Sequence, residues 1–188
     1  MKIVVLLGAV IVLLSCKKEP QVASVGKTDS LVTKTVGGNE DDDIELILNK
    51  FPSKKIPAVD STNFDYVSHL KPLADADVQK LGLNTLFEDG SQFQINSRYE
   101  LQPDFKTITV TFNKGEMEMT TQLLNFDKQG RMIDHVDIAY DEIAESAFRK
   151  SSHISKDKIV LTDENYLVDP AKIQEFTYKI LPSGKIKK

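Results

Sequence analysis

The chain of 188 residues carries 24 Lys+Arg against 28 Asp+Glu, a formal charge of -4, and 40% of it is hydrophobic. That balance argues against a nucleic-acid partner, since phosphate neutralisation favours a concentrated basic surface. A single cysteine excludes an intramolecular disulfide, so stability has to come from core burial.

In chain order, Met1-Lys2 sets one positive side chain ahead of an uncharged run from Ile3 to Leu14. The run fits the central part of an export signal and falls short of the about 20 apolar residues that a crossing helix needs. The residues Leu13-Leu14-Ser15-Cys16 resemble the lipobox of bacterial lipoproteins, in which the cysteine sulfur receives a diacylglyceryl group and the chain is cut just before it. The resemblance implies that residues 1–15 are a lipoprotein signal peptide, that Cys16 is the lipidation site, and that membrane lipid is a partner through Cys16. The chemistry agrees, because a cysteine sulfur is nucleophilic and small Ser15 leaves room beside the scissile bond. Acyl chains of the palmitate type contribute about 0.8 kcal/mol per buried methylene, so two or more hold a protein stably at a membrane. A buried core segment with an incidental cysteine is the competing reading, and the lysine before the run and the polar Lys17-Lys18-Glu19 after it argue against that. Removing Lys2 with the signal lowers 24 Lys+Arg to 23 against 28 Asp+Glu, a formal charge of -5.

Residues 16–43 are rich in Lys, Glu, Ser, Thr, Gly and Asp with scattered valines, the composition of a flexible membrane tether. Residues 44–188 are expected to form a single β-rich domain. Ile44, Ile47, Leu48 and Phe51 fit a helical stripe, and Asp41-Asp42-Asp43 suits its start through capping and end charge. Those aspartates lack the alternating ligands, central glycine and terminal glutamate of a calcium loop. Pro52 stops the helix, and the stretch to Asp60-Ser61-Thr62 reads as extended. Residues Asp75 to Gly82 predict a short helix capped by Asp75 and ended by Gly82, with Val78 and Leu81 facing the domain.

After Gly90 the pattern turns to strands. Phe93, Ile95, Ser97, Tyr99 and Leu101 alternate onto one face, and Ile108, Val110 and Phe112 oppose Thr107, Thr109 and Thr111. The segments Met117–Phe126 and Arg131–Tyr140 flank Asp127-Lys128-Gln129-Gly130 and predict a central hairpin. On its second arm Met132, Asp134, Val136, Ile138 and Tyr140 share a side, but adjacent Leu123-Leu124 and Met132-Ile133 require a bulge or burial of both faces. Further strands are expected around 146–154, 159–161, 174–180 and 185–188, the last a short lysine-rich edge. About eight short strands from Phe93 to Ile186 with tight connections predict a mainly β fold, an antiparallel meander forming a curved sheet or incomplete barrel with short N-terminal helices. A closed lipocalin-like barrel is the alternative.

Cys16, Asn49-Lys50-Phe51-Pro52 with Ile56-Pro57, Leu81-Gly82-Leu83, and the hairpin from Leu124 to Asp134 together resemble uncharacterised exported lipoproteins of Bacteroidetes-type bacteria. The resemblance implies the cell envelope, with outer-membrane attachment facing the periplasm or the cell surface. It carries across no catalytic or ligand-binding residue.

No site chemistry stands out. A zinc site from His69, His135 or His153 needs Asp134, Asp137 or Glu145 as a further ligand, and nothing in the spacing fixes that geometry. Ser151-Ser152-His153 lacks the arrangement of a hydrolase, because neighbouring strand residues point to opposite faces. The carboxylate pairs Asp134/Asp137 and Asp163/Glu164 read as solvated, and no phosphate loop is present. The chain is therefore expected to be no enzyme, with no cofactor and no metal. Thr107, Thr109 and Thr111 with Phe93, Tyr99 or Tyr178 suit a carbohydrate, although a wet threonine face and aromatic core filling explain them more simply. Met117, Met119 and Met132 suit either a ligand cavity or core gaps. The reading that remains is an envelope binding or accessory module with a protein or small-ligand partner. A protein-partner role predicts an exposed patch, and ligand capture predicts an apolar cavity.

Overall fold

The computed structural model describes residues 40–143 and 147–188. The signal peptide, Cys16 and nearly all of the expected tether lie outside them. Four short helices and ten strands follow one another: α1 (Glu40–Leu48), β1 (Ala58–Asp60), α2 (Phe64–Val67), β2 (Lys71–Pro72), α3 (Asp75–Lys80), α4 (Leu83–Leu86), β3 (Gly90–Tyr99), β4 (Lys106–Lys114), β5 (Glu118–Phe126), β6 (Met132–Glu142), β7 (Phe148–Ile154), β8 (Lys158–Asn165), β9 (Lys172–Ile180) and β10 (Ile186–Lys187). The last eight strands are those expected from the sequence. They form an open antiparallel sheet in the order β10-β9-β8-β7-β6-β5-β4-β3-β2, with β1 beside β7. The first and last strands do not pair, so the closed lipocalin-like barrel is excluded.

The central hairpin pairs β5 with β6 from Glu118 opposite Glu142 to Phe126 opposite Met132. Its turn is built as the residues dictate. Asp127 Oδ1 accepts the N–H groups of Gln129 and Arg131, both at 2.9 Å, and Gly130 takes φ +74°. A Cβ on Gly130 would lie 2.7 Å from Cβ of Ile44, so α1 rests directly on the turn. The helix also starts earlier than the stripe predicts, at Glu40, so that Asp41–Asp43 fall within it and not before it. Asp75 is not a cap, because Ala74 holds the N-cap position of α3 without a side-chain bond. Gly82, at φ +69°, ends α3 as expected and also opens α4.

Both faces of the middle strands are covered. On one face Ile108, Val110, Phe112, Leu124 and Phe126 pack against Ile47, Leu48, Val78, Leu81 and Leu83 from the helices. On the other, Tyr99, Leu123 and Ile138 pack with Ala58, Ile154, Ile159 and Ile180, so β1 and the second half of the meander lie over the first. Side chains bind this overlay at its far edge, where Asp134 accepts the Ile186 N–H at 2.9 Å and Asn125 donates to the Gly184 carbonyl at 2.8 Å.

Four register shifts explain why simple alternation misplaces faces. Gln92 and Phe93 lie between the paired Ser91 and Gln94, and Asn96, Ile133 and Ile138 have no opposite residue in their ladders. Each extra residue reverses the faces that follow. Phe93 and Ile95 therefore meet the helices while Tyr99 and Leu101 enter the second core. Met132, paired with Phe126, lies on the helix face, whereas Asp134, paired with Asn125, lies on the other. The threonine face of β4 is not wet, since Thr107, Thr109 and Thr111 are fully buried.

Candidate functional site

The groups singled out by sequence chemistry are kept apart by the fold. His135 is exposed on β6, with its ring edge-on to Phe87 at 5.4 Å and Nδ1 3.2 Å from Gln122 Oε1. Gln122 also donates to Asp137, which makes His135 and Asp137 polar neighbours on one face, as the alternation implies. His153 points outward from β7, where it is exposed, while adjacent Ser152 is buried. The ladder between β6 and β7 consists of one register pair, Tyr140 opposite Lys150, and does not bring the two histidines together. Asp134 faces away from Asp137 and anchors β10. Glu145 lies outside the described residues. Among those residues no three His, Cys, Asp or Glu side chains assemble as metal ligands.

The carbohydrate reading is overturned by burial. Thr107 donates to Asn125 at 2.7 Å, Thr111 bonds Thr121 at 2.8 Å, and Phe93 and Tyr99 are core residues. The methionines divide, with Met119 buried, Met132 packed on the helix-side core and Met117 47% exposed.

Two features have chemical content instead. The first is a buried polar chain. Asn96 Nδ2 donates at 3.0 Å to both Thr62 Oγ1 and Thr111 Oγ1, and Thr62 Oγ1 donates at 2.6 Å to Asp60 Oδ1. Asp60 is 2% exposed, and β1 pairs it directly with Ser152. Asp60 Oδ2 and Ser152 Oγ are buried and have no hydrogen-bond partner among the described residues. Burial first, and the Asp60 charge second, push the Tyr99 phenol well above its ordinary range. A pocket of about 300 Å³ lined by Asp60, Thr62, Asn63, Tyr66 and Asn96 opens beside this chain. In the sequence Asp60 and Thr62 mark only the end of an extended stretch, and Asn96 carries no signal of its own. The polar residues at 97, 109 and 111 were the available signal, but the bulge at Asn96 hid their shared direction.

The second feature is the end of the meander that carries the β4–β5, β6–β7 and β8–β9 connections. Of the eleven large apolar side chains exposed among the described residues, Met117, Ile143, Phe148, Tyr166, Leu167, Val168 and Ile173 sit here. Seven of the eleven therefore fall at one end of the sheet, a concentration of the kind that marks interaction sites. Backbone bonds join the connections, from Ile143 N–H to Met117 carbonyl at 2.9 Å and from Tyr166 N–H to Ala147 carbonyl at 2.8 Å. Glu142 Oε1 accepts the N–H groups of Ala147 and Phe148 at 3.0 and 3.2 Å, and Asn165 Oδ1 accepts that of Leu167 at 2.9 Å. These bonds tie the described ends of the connections to one another. Compared with family models, curated proteins and solved structures, the chain matches none of them.

Proposed function

We propose that this chain is a cell-envelope lipoprotein, acylated on Cys16, that acts as a binding or accessory module by engaging a protein partner through the apolar end of its sheet. The observation that carries the binding part is the concentration of exposed apolar side chains on three mutually bonded connections. Burying exposed apolar surface favours association, which is what a docking face requires. Support for the anchor is the apolar run ending in Leu13-Leu14-Ser15-Cys16 and the resemblance to exported lipoproteins of Bacteroidetes-type bacteria, which also points to the outer membrane.

The test uses the native host. Cys16→Ala should leave the membrane fraction, and the mass of the wild-type N-terminus should correspond to an acylated cysteine. Leu167→Glu with Ile173→Glu should remain membrane-bound and folded while losing the cross-linked complex formed by the wild type. Undiminished membrane retention of Cys16→Ala removes the anchor from the proposal. An unchanged cross-linked complex in the double variant removes the patch.

A further inference from the structure

We propose that the protein partner is held as an added strand, an extended segment that lies antiparallel along the open edge of β9 and sets a Lys or Arg opposite Glu175. The inference rests on the docking reading above, because the edge runs on from the patch through exposed Ile173. Along an antiparallel strand the N–H and C=O of one residue point to one side and those of the next residue to the other. Ile180 donates its N–H to the Asp157 carbonyl, on the β8 side, and Leu181 donates to the Lys185 carbonyl, on the β10 side. The β8–β9 register runs without a shift from Lys172 to Lys179, so Ile173, Glu175, Thr177 and Lys179 turn their backbone groups away from β8. β10 pairs only with Lys179 and Ile180. Among the described residues, the backbone groups of Ile173, Glu175 and Thr177 are thus left on a free edge. Neither proline nor bulge protects it, and Lys172 and Lys179 stand outside the free stretch. At the other end of the sheet the order closes with β2, two residues that include Pro72.

Charge selects the occupant. Glu175 is exposed and forms no ion pair among the described residues. Its neighbours on the same face are Ile173 and Thr177 on β9 and Val160, Thr162 and Glu164 on β8, none of them cationic. Lys188 Nζ sits 3.9 Å from the Phe176 ring centroid, and Phe176 projects from the opposite face to Glu175. A second copy of the chain is disfavoured, because a two-fold pairing that engages all three free residues sets Glu175 directly opposite its own copy. A strand with a cation at that position and an apolar residue opposite Ile173 meets both side chains and satisfies the free backbone groups.

The experiment titrates the full chain into the fluorescein-labelled peptide Thr-Thr-Lys-Thr-Val-Thr, whose Lys falls opposite Glu175 and whose Val falls opposite Ile173, and reads anisotropy. The expected result is saturable binding that weakens about fivefold when Glu replaces the peptide Lys, with the preference reversed in Glu175→Lys. N-methylation of the peptide Lys and Val, which removes the N–H groups aimed at β9, should abolish binding. In the native host Glu175→Pro removes an outward N–H and spares the bonds to β8, and it should lose the cross-linked complex. Where Glu175→Pro does not fold, the N-methylated peptide carries the comparison. Absent binding, binding indifferent to N-methylation and to the charge at 175, or a cross-linked complex kept by Glu175→Pro and lost by Leu167→Glu with Ile173→Glu would overturn strand addition while leaving the docking face in place. A dimer of the free chain that Glu175→Pro dissolves would overturn it in favour of a second copy.

Discussion

Asn125 shows how one buried side chain binds the two halves of the meander. It is fully buried, accepts the Thr107 hydroxyl and donates to the Gly184 carbonyl, which belongs to the last turn of the chain. Asn125→Ala leaves a donor and an acceptor without partners inside the protein, so a loss of about 2–4 kcal/mol is expected. Urea unfolding measures it, and an unchanged midpoint would mean that water replaces both bonds. The tyrosines give a second residue-scale outcome. Tyr99 is held above the ordinary phenol value of 10.0 by burial and then by Asp60, and Tyr140 by burial and then by Glu118 and Glu142. A folded value raised above the unfolded one gives stability that is complete below about pH 10 and is lost as pH rises through the folded value. Stability should therefore fall steeply on the alkaline side of about pH 10, with a shallower fall in Tyr99→Phe, as read from denaturant midpoints across that range. Asp127 works in the acid direction. Desolvation pushes its carboxyl up, but hydrogen bonds from Arg131 and Gln129 and the Arg131 charge hold it below the usual carboxylate range. Its contribution is present above the unfolded value near pH 4 and disappears as pH falls through the folded one.

At the scale of elements, the β5–β6 turn fixes more than its hairpin. Gly130→Ala would need φ +74° and would put a methyl within 2.7 Å of Cβ of Ile44, a backbone-proximal atom that cannot swing aside. A destabilisation of about 2–4 kcal/mol is expected, with α1 losing protection before the sheet does. Circular dichroism of urea unfolding and exchange at α1 amides test the two parts separately. This turn was legible in the sequence because Asp and Gly offer a local solution to the backbone angles. The number and succession of the last strands were legible for the same reason, as each is bounded by Asn, Asp, Gly or Pro. Faces were not legible beyond the first bulge. Nothing local in Asn96, Ile133 or Ile138 announces an unpaired residue, since a bulge depends on how two strands register against a third layer. The same limit hid the burial of Thr107, Thr109 and Thr111. Alternating threonine suits a solvated strand face, and only the overlay of β1 and β7 onto that face encloses it. Asp60, Asn96 and Ser152 come from separate segments, so their meeting depends on the register that pairs β1 with β7.

For the whole molecule, the layering predicts a gradient of local stability with a functional consequence. Almost every residue of β5 and most of β4 are buried, because helices cover one face and strands the other. β9 is exposed along most of its length and is bounded by the two-residue edge strand β10. Opening β9 with β10 exposes little core, whereas opening β4 or β5 exposes both cores at once. Amides of β4 and β5 should thus exchange only through global unfolding, while those of β9 exchange through a smaller opening with a weaker dependence on denaturant. Hydrogen exchange followed by mass spectrometry across a urea series separates these cases, and equal denaturant dependence in β5 and β9 would contradict the layering. The proposed docking face extends across this gradient, since Met117 adjoins β5 whereas Leu167, Val168 and Ile173 adjoin or belong to β9. A partner bound there should slow exchange in the β8–β9 connection and the start of β9, where the free protein opens at low cost. It should leave the middle of β5 unchanged, because no ligand-coupled opening is available there to suppress.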